Sequence, residues 1–172
     1  MHPLLLGIVG HSGTGKTTLL KALIPLLSQQ GLRVGLIKHS HHNVDVDTPG
    51  KDSHELRHRG AGQTMVVCDQ RWALMTETPT APPSLTELAQ RFQDVDVVLV
   101  EGFKHEPLPK ITLYRTAVGK PLATLLDAHV VALACDAEAQ PEALAATQLP
   151  LLDLNQPHSI ADFILNFVKD AS

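Results

Sequence analysis

Aromatic residues are scarce in this chain: one tryptophan, one tyrosine and four phenylalanines among 172 residues. So few rings cannot furnish the stacking platform on which single-stranded nucleic acids are held. Positive charge is also in short supply. Lys and Arg number 14 against 18 Asp and Glu, a formal charge of −4, so a surface that neutralises a phosphate backbone is not expected. Nucleic acid is therefore excluded as the principal ligand. No apolar run approaches the roughly 18 residues that cross a bilayer. The C-terminal helical stretch carries Lys169 as its one Lys or Arg, too little charge for a membrane-surface helix. Only two cysteines are present, Cys68 and Cys135, far apart in β-rich stretches, where a free thiol acts as a small hydrophobe. The first residues, Met1-His2-Pro3, lack a basic n-region and a cleavage site, so a cytoplasmic protein is expected.

What is present is hydrophobic patterning of one kind. Residues 4–9 form a short apolar run, residues 17–30 space Leu19, Leu20, Leu23, Leu26 and Leu27 as one helical face, and Gly31 ends that helix before a second run at 33–37. A polar stretch, 38–53, leads to a predicted short helix over 52–59 closed by Gly60. Residues 64–68 and 71–76 read as a hairpin turning at Asp69-Gln70, and 78–83 as a proline-rich linker. Ser84 with Glu87 three residues on is a capping box for a helix to about residue 92. Residues 96–100, 110–115 and 129–134 are further strands. Residues 141–147 and 157–169 are further helices, the last burying Ile160, Phe163, Ile164 and Phe167. Near-continuous apolar strands alternating with helices predict a three-layer α/β domain spanning 1–172, with a mainly parallel sheet and an antiparallel hairpin extension.

Residues Gly10-His11-Ser12-Gly13-Thr14-Gly15-Lys16-Thr17 satisfy G-x-x-x-x-G-K-[ST] between a predicted strand and a predicted helix. In that setting backbone N–H groups converge on phosphate oxygens. Lys16 reaches the β- and γ-phosphates, Thr17 binds magnesium, and Thr18 is a candidate for the α-phosphate. The apolar strand 95–100 ends in Glu101, a candidate to hold magnesium or orient the attacking water, against the plainer reading of a solvated strand-end acid. Asp96, at the start of that strand, is expected at the opposite end of the sheet.

The loop after the second strand, His39-Ser40-His41-His42-Asn43-Val44-Asp45-Val46-Asp47, offers Asp47 and Asp45 as competing magnesium-linked or water-orienting carboxylates. Its histidines lack the His-x-x-x-His helical spacing that aims two imidazoles at one ion, which leaves metal, cofactor or partner contact open. Lys38, Arg57 and Arg59 are candidates for an anionic ligand or for solvated surface. Asp136, ending the strand 132–135, is a candidate acceptor for guanine N1–H and N2–H₂ or else a helix N-cap; no Asn-Lys-x-Asp signature is present.

The stretches GHSGTGKTTL, LIKHSHHNVDVDTPGKDSHELRHRGA, VDVVLVEGFKHEPLPKI and ALACD together resemble the molybdopterin-guanine dinucleotide biosynthesis protein B (MobB) family over nearly the whole chain. The resemblance implies a P-loop NTPase fold, GTP with magnesium, weak GTPase activity and homodimerisation. It further implies an adapter's partnership with the molybdenum cofactor guanylyltransferase, which joins GMP to molybdopterin, and molybdopterin itself as a ligand. Related dimeric ATPases place a lysine directly after the first loop glycine, where this chain has His11, and that agrees with slow hydrolysis. The rival readings are a P-loop small-molecule kinase with Asp45 or Asp47 as base, and a DNA-partition or membrane-positioning switch. The first lacks an arginine-rich lid pattern, and the second lacks a basic patch or membrane helix.

Overall fold

The computed structural model describes residues 3–40 and 44–171. The chain divides into two compact units, Met1–His39 with Ala89–Ser172, and Ser40–Leu88.

The larger unit is a six-stranded parallel sheet. Its strands are β1 (Leu4–Gly10), β2 (Val34–Lys38), β5 (Val97–Glu101), β6 (Lys110–Tyr114), β7 (Val130–Cys135) and β8 (Leu151–Asp153), in the order β2-β5-β1-β6-β7-β8. The smaller unit holds α2 (Asp52–His58) and an antiparallel pair, β3 (Gln63–Cys68) and β4 (Arg71–Thr76). The short α3 (Leu85–Ala89) ends where the chain returns to the larger unit. Parallel neighbours need crossover connections; α1 (Lys16–Gln29) lies between β1 and β2 and α4 (Gln140–Ala146) between β7 and β8, while α5 (Pro157–Asp170) follows the last strand.

Alternation along the strands sends side chains to both faces. On one, Leu6, Ile8, Val97, Leu99, Ile111 and Leu113 meet Leu19, Leu20, Leu23 and Leu27 of α1 and Ile160, Ile164 and Val168 of α5. On the other, Leu133 and Cys135 join Leu122, Leu125, Ala139 and Ala143. Helical cover on both faces gives the three layers expected of the P-loop class. Cys135 is buried, and burial raises its thiol pKa; Cys68 is exposed. Along α5 the interior is filled by Ile160, Ala161, Ile164 and Val168, while Phe163 and Phe167 are only half-buried. Pro25 sits inside α1 without ending it, so the packing of the leucine face outweighs the lost backbone bond.

Two ion pairs fix the ends of the strands. Lys110 opens β6 almost wholly out of solvent, donating from Nζ to the Lys104 and Glu106 carbonyls and to Asp127 at 2.9–3.0 Å. Asp96, as expected, stands at the far end of the sheet from the glycine loop. It accepts from the backbone N–H of Arg33 at 2.7 Å and from its guanidinium at 2.7 and 3.1 Å. Those bonds hold the Asp96 carboxyl down to about 2. A depressed carboxyl stabilises the fold at pH above its unfolded value of about 3.9, and that contribution disappears as pH falls toward 2. Arg33→Gln should therefore move the acid-unfolding midpoint to higher pH, followed by circular dichroism from about pH 5 to about pH 1. An unshifted midpoint would mean that the pair contributes nothing to acid resistance.

Candidate functional site

The chain leaves β1 at Gly10 and enters α1 at Lys16. A Cβ on Gly10 would lie 2.7 Å from the Leu113 carbonyl oxygen and 2.8 Å from Thr14 Oγ1, so no side chain fits where β1 meets β6. Gly13 and Gly15 take φ of 87° and 93°, which a Cβ disfavours. Between them Thr14 is fully buried, and its hydroxyl donates to the His11 carbonyl at 2.9 Å, closing the loop on itself. Ser12, Gly13, Thr17 and Thr18 remain exposed. The first turn of α1 has neither a side-chain cap nor an acidic residue, which leaves the positive end of a 14-residue helix to an anion.

Lys16 curls back over this loop, its Nζ donating to the Gly10 carbonyl at 2.9 Å and the His11 carbonyl at 3.0 Å. Burial lowers its pKa; Glu101 partly opposes that and Lys38 adds to it. Two neutral carbonyls are weaker acceptors for an ammonium than charged oxygens would be.

Parallel register brings Glu101 to the same edge, paired across from Ile8 on β1 and Lys38 on β2. Its side chain is 10% exposed. Oε1 accepts from Thr17 Oγ1 at 3.2 Å, Oε2 from Lys38 Nζ at 2.9 Å, and its carbonyl from the His39 N–H at 2.8 Å. Immediately after it Gly102 and Phe103 both adopt left-handed backbone, with Phe103 at φ 50°, an uncommon state for a bulky residue. The Phe103 ring stacks on His39 at 4.5 Å. Lys16 and Thr17, 85 and 84 positions before Glu101 in the chain, thus meet it at one edge. Thr17 and Glu101 together present two hard oxygen donors 3.2 Å apart, the ligand type that magnesium takes.

Asp136 lies just beyond β7, with both oxygens engaged. Oδ1 accepts from the Ala139 N–H at 3.1 Å, as a cap for the turn 137–139, and Oδ2 from Arg115 Nη1 at 3.0 Å. Arg115 also donates to the Thr14 carbonyl at 3.3 Å and to Asn155 Oδ1 at 3.2 Å, so it ties the glycine loop to the segments following β7 and β8. Sequence reasoning passed over Arg115. The available signal was its position as the first residue after a buried parallel strand beside β1, where α/β sheets bind ligands. His11 Nε2 meets Thr124 Oγ1 at 3.1 Å.

Asp47 and Asp45 belong to the smaller unit. Arg57 holds Asp47 at 2.8 Å, Asp45 at 2.6 Å and Glu77 at 2.9 Å, and these bonds raise the guanidinium pKa while lowering those of Asp45 and Asp47. A guanidinium shared by three carboxylates is an internal clamp, not a free anion ligand. Lys38 is likewise committed to Glu101. His41, His42 and Asn43 lie outside the described residues.

Residues 5–136 match the family described as Molybdopterin guanine dinucleotide synthesis protein B. A protein of Escherichia coli (strain K12) named molybdopterin-guanine dinucleotide biosynthesis adapter protein is 49% identical over 169 residues, which cover 96% of this chain and 93% of its own. Its namesake from Haemophilus influenzae is 51% identical over 166 residues, 95% of this chain and 89% of the relative. The crystal structure of Bacillus subtilis MobB superposes with a TM-score of 0.76 at 28% identity, covering 95% of this chain and 96% of that one. The glycine loop, the strand ending in Glu101 and the segment 36–61 all fall inside the matched residues, and this chain belongs to the molybdopterin guanine dinucleotide synthesis protein B family.

Proposed function

We propose that this chain is a GTP-binding, slowly hydrolysing adapter in the synthesis of molybdopterin guanine dinucleotide. It acts in the cytoplasm, where the GTP pool lies, beside the guanylyltransferase that attaches GMP to molybdopterin, with molybdopterin as a second ligand. The observation that carries this reading is the meeting of Lys16, Thr17 and Glu101 at the uncapped end of α1, in a chain of this family.

On nucleotide binding Lys16 exchanges the Gly10 and His11 carbonyls for β- and γ-phosphate oxygens, while the amides of 13–17 and the end of α1 bind the rest of the phosphate chain. Thr17 and Glu101 would hold magnesium, which when bound neutralises charge on the phosphates. Glu101, nearly out of solvent, orients the attacking water through its carboxylate. His11 stands where related dimeric ATPases carry a lysine, so hydrolysis is slow. Asp136 is the guanine acceptor in this account, and it must exchange the Arg115 bond for the base.

The chain also pairs with a second copy. In the β3–β4 register Met65 opposes Leu74 and Val67 opposes Trp72, which sets the four on one face, and each is at least 40% exposed. A lone two-stranded sheet with an apolar face is not stable in water by itself. Light scattering at micromolar concentration should give twice the chain mass, and Val67→Lys should shift it toward the monomer; a monomeric unaltered chain, with and without nucleotide, would rule out the pairing.

Binding and turnover separate the roles at the phosphate site. Calorimetry with magnesium should show GTP bound more tightly than ATP, and equal affinities would remove the guanine assignment. Lys16→Ala should weaken GTP binding by roughly 2–5 kcal/mol. Glu101→Gln should leave affinity nearly unchanged and lower phosphate release from a starting rate of about 10⁻⁴ to 10⁻² s⁻¹. If Glu101→Gln releases phosphate at the unaltered rate with the guanylyltransferase absent and present, Glu101 is not the water-orienting residue. Phosphate appearing on an acceptor instead of free in solution would favour a kinase.

A further inference from the structure

The smaller unit carries a side-chain cluster that nucleotide chemistry does not use. On α2, His54 and His58 stand four residues apart on one face, with ring centroids 4.0 Å from each other. Asp45 turns Oδ2 toward His54 Nε2 at 3.8 Å. One ligand atom from each of Asp45, His54 and His58 lies within 4.8 Å of the other two. We propose that these three residues bind one transition-metal dication of the zinc, cobalt or nickel class, with solvent completing its coordination, and that the ion ties the segment 44–47 to α2.

The donor set selects the class of ion. Two imidazole nitrogens and one carboxylate oxygen suit borderline dications, whereas magnesium and calcium take oxygen throughout. The His58 ring is already oriented. Its Nδ1 lies 2.9 Å from the His54 carbonyl oxygen, and donation there leaves the lone pair on Nε2, the outer bond that metal-binding histidines commonly make. His54 is the least exposed of the three, at 14% of its side chain. Its Nδ1 is buried without a hydrogen-bond partner, and its Nε2 is too far from Asp45 for a hydrogen bond. Neither ring nitrogen thus has the hydrogen bond that burial normally requires; an ion beside Asp45 Oδ2 would give Nε2 a partner, while Nδ1 stands 3.9 Å from Glu55 Oε1.

Charge and packing point the same way. Arg57 is one cation facing Asp45, Asp47 and Glu77, so an excess of negative charge remains beside the two histidines. Arg57 takes Asp45 Oδ1 and thereby fixes the carboxylate while Oδ2 faces the imidazole. Metal bonds of about 2.0–2.2 Å require the ligand atoms to close by about 1–1.5 Å, within reach of side-chain rotation at the exposed Asp45 and His58. The ion also has something to stabilise. α2 is seven residues long and buries none of them, so it has little packing of its own to hold it.

The test uses the whole chain, freed of metal by chelation. Zinc titrated by calorimetry should bind at one ion per chain, and cobalt should develop a visible absorption band that zinc then abolishes. His54→Gln, His58→Gln and Asp45→Asn should each weaken zinc binding about 10-fold or more, with circular dichroism establishing that the variants are folded. His158→Gln, remote in the sequence and exposed, should bind as the unaltered chain does. Zinc should also slow amide exchange in residues 52–58. Absence of stoichiometric binding would overturn the proposal. So would binding that survives both histidine substitutions, since the ion would then rest on other residues.

Discussion

The phosphate site depends on the position of β1 between β5 and β6 in parallel register. Parallel strands present all their C-terminal ends at one edge, and β1 is the strand from which neighbouring connections diverge to either side. The Ile8 pairing with Glu101 and the Gly10 pairing with Leu113 place a carboxylate on one side of the loop and the Arg115 tether on the other. A slip by one residue would turn the apolar side chains of β1 to the opposite face. The core made by Leu6 and Ile8 therefore protects the geometry of the site as well as the fold.

Charges around the loop are arranged so that none is left idle. Lys38 neutralises Glu101, Arg115 neutralises Asp136, and Lys16 rests on backbone carbonyls. Each arrangement is one that an arriving polyanion can rearrange, because phosphate oxygens are stronger acceptors than carbonyls and a cation bound to them changes the demands on the nearby acids. Thr17, exposed beside Glu101, joins the helix end to the acidic strand. The left-handed turn at Gly102 and Phe103 returns the chain against His39, so the segment following β2 is anchored at the same residue that ends β5.

The features readable from sequence are those whose physics is local. The spacing of residues 10–17 between an apolar run and a helical leucine face sufficed for the glycine loop, and near-continuous apolar strands sufficed for a parallel sheet. The Ser84–Glu87 box was equally local, and its reciprocal bonds form at 2.7–3.3 Å. Its helix stops at Ala89, short of the expected residue 92. β8 escaped notice because three residues carry too little periodicity, and the turns 116–118 and 122–125 have none. Arg115 and Asn155 come together only through the order of strands. Asp136 forms the cap on the Ala139 N–H, a local bond that its place at a strand end made legible; recognition of a base is a proposal. The metal-type spacing sought among His39 to His42 lies instead at His54 and His58, in a helix legible in advance.

We propose that Lys16, which donates to the Gly10 and His11 carbonyls, is a phosphate ligand held in reserve by its own loop. Its most direct test is the structure of the chain with a non-hydrolysable GTP analogue and magnesium. In that complex Lys16 Nζ should leave the Gly10 and His11 carbonyls for the β- and γ-phosphates, with Thr17 and Glu101 beside the magnesium ion. Nucleotide bound elsewhere, with Lys16 still donating to those two carbonyls, would contradict it.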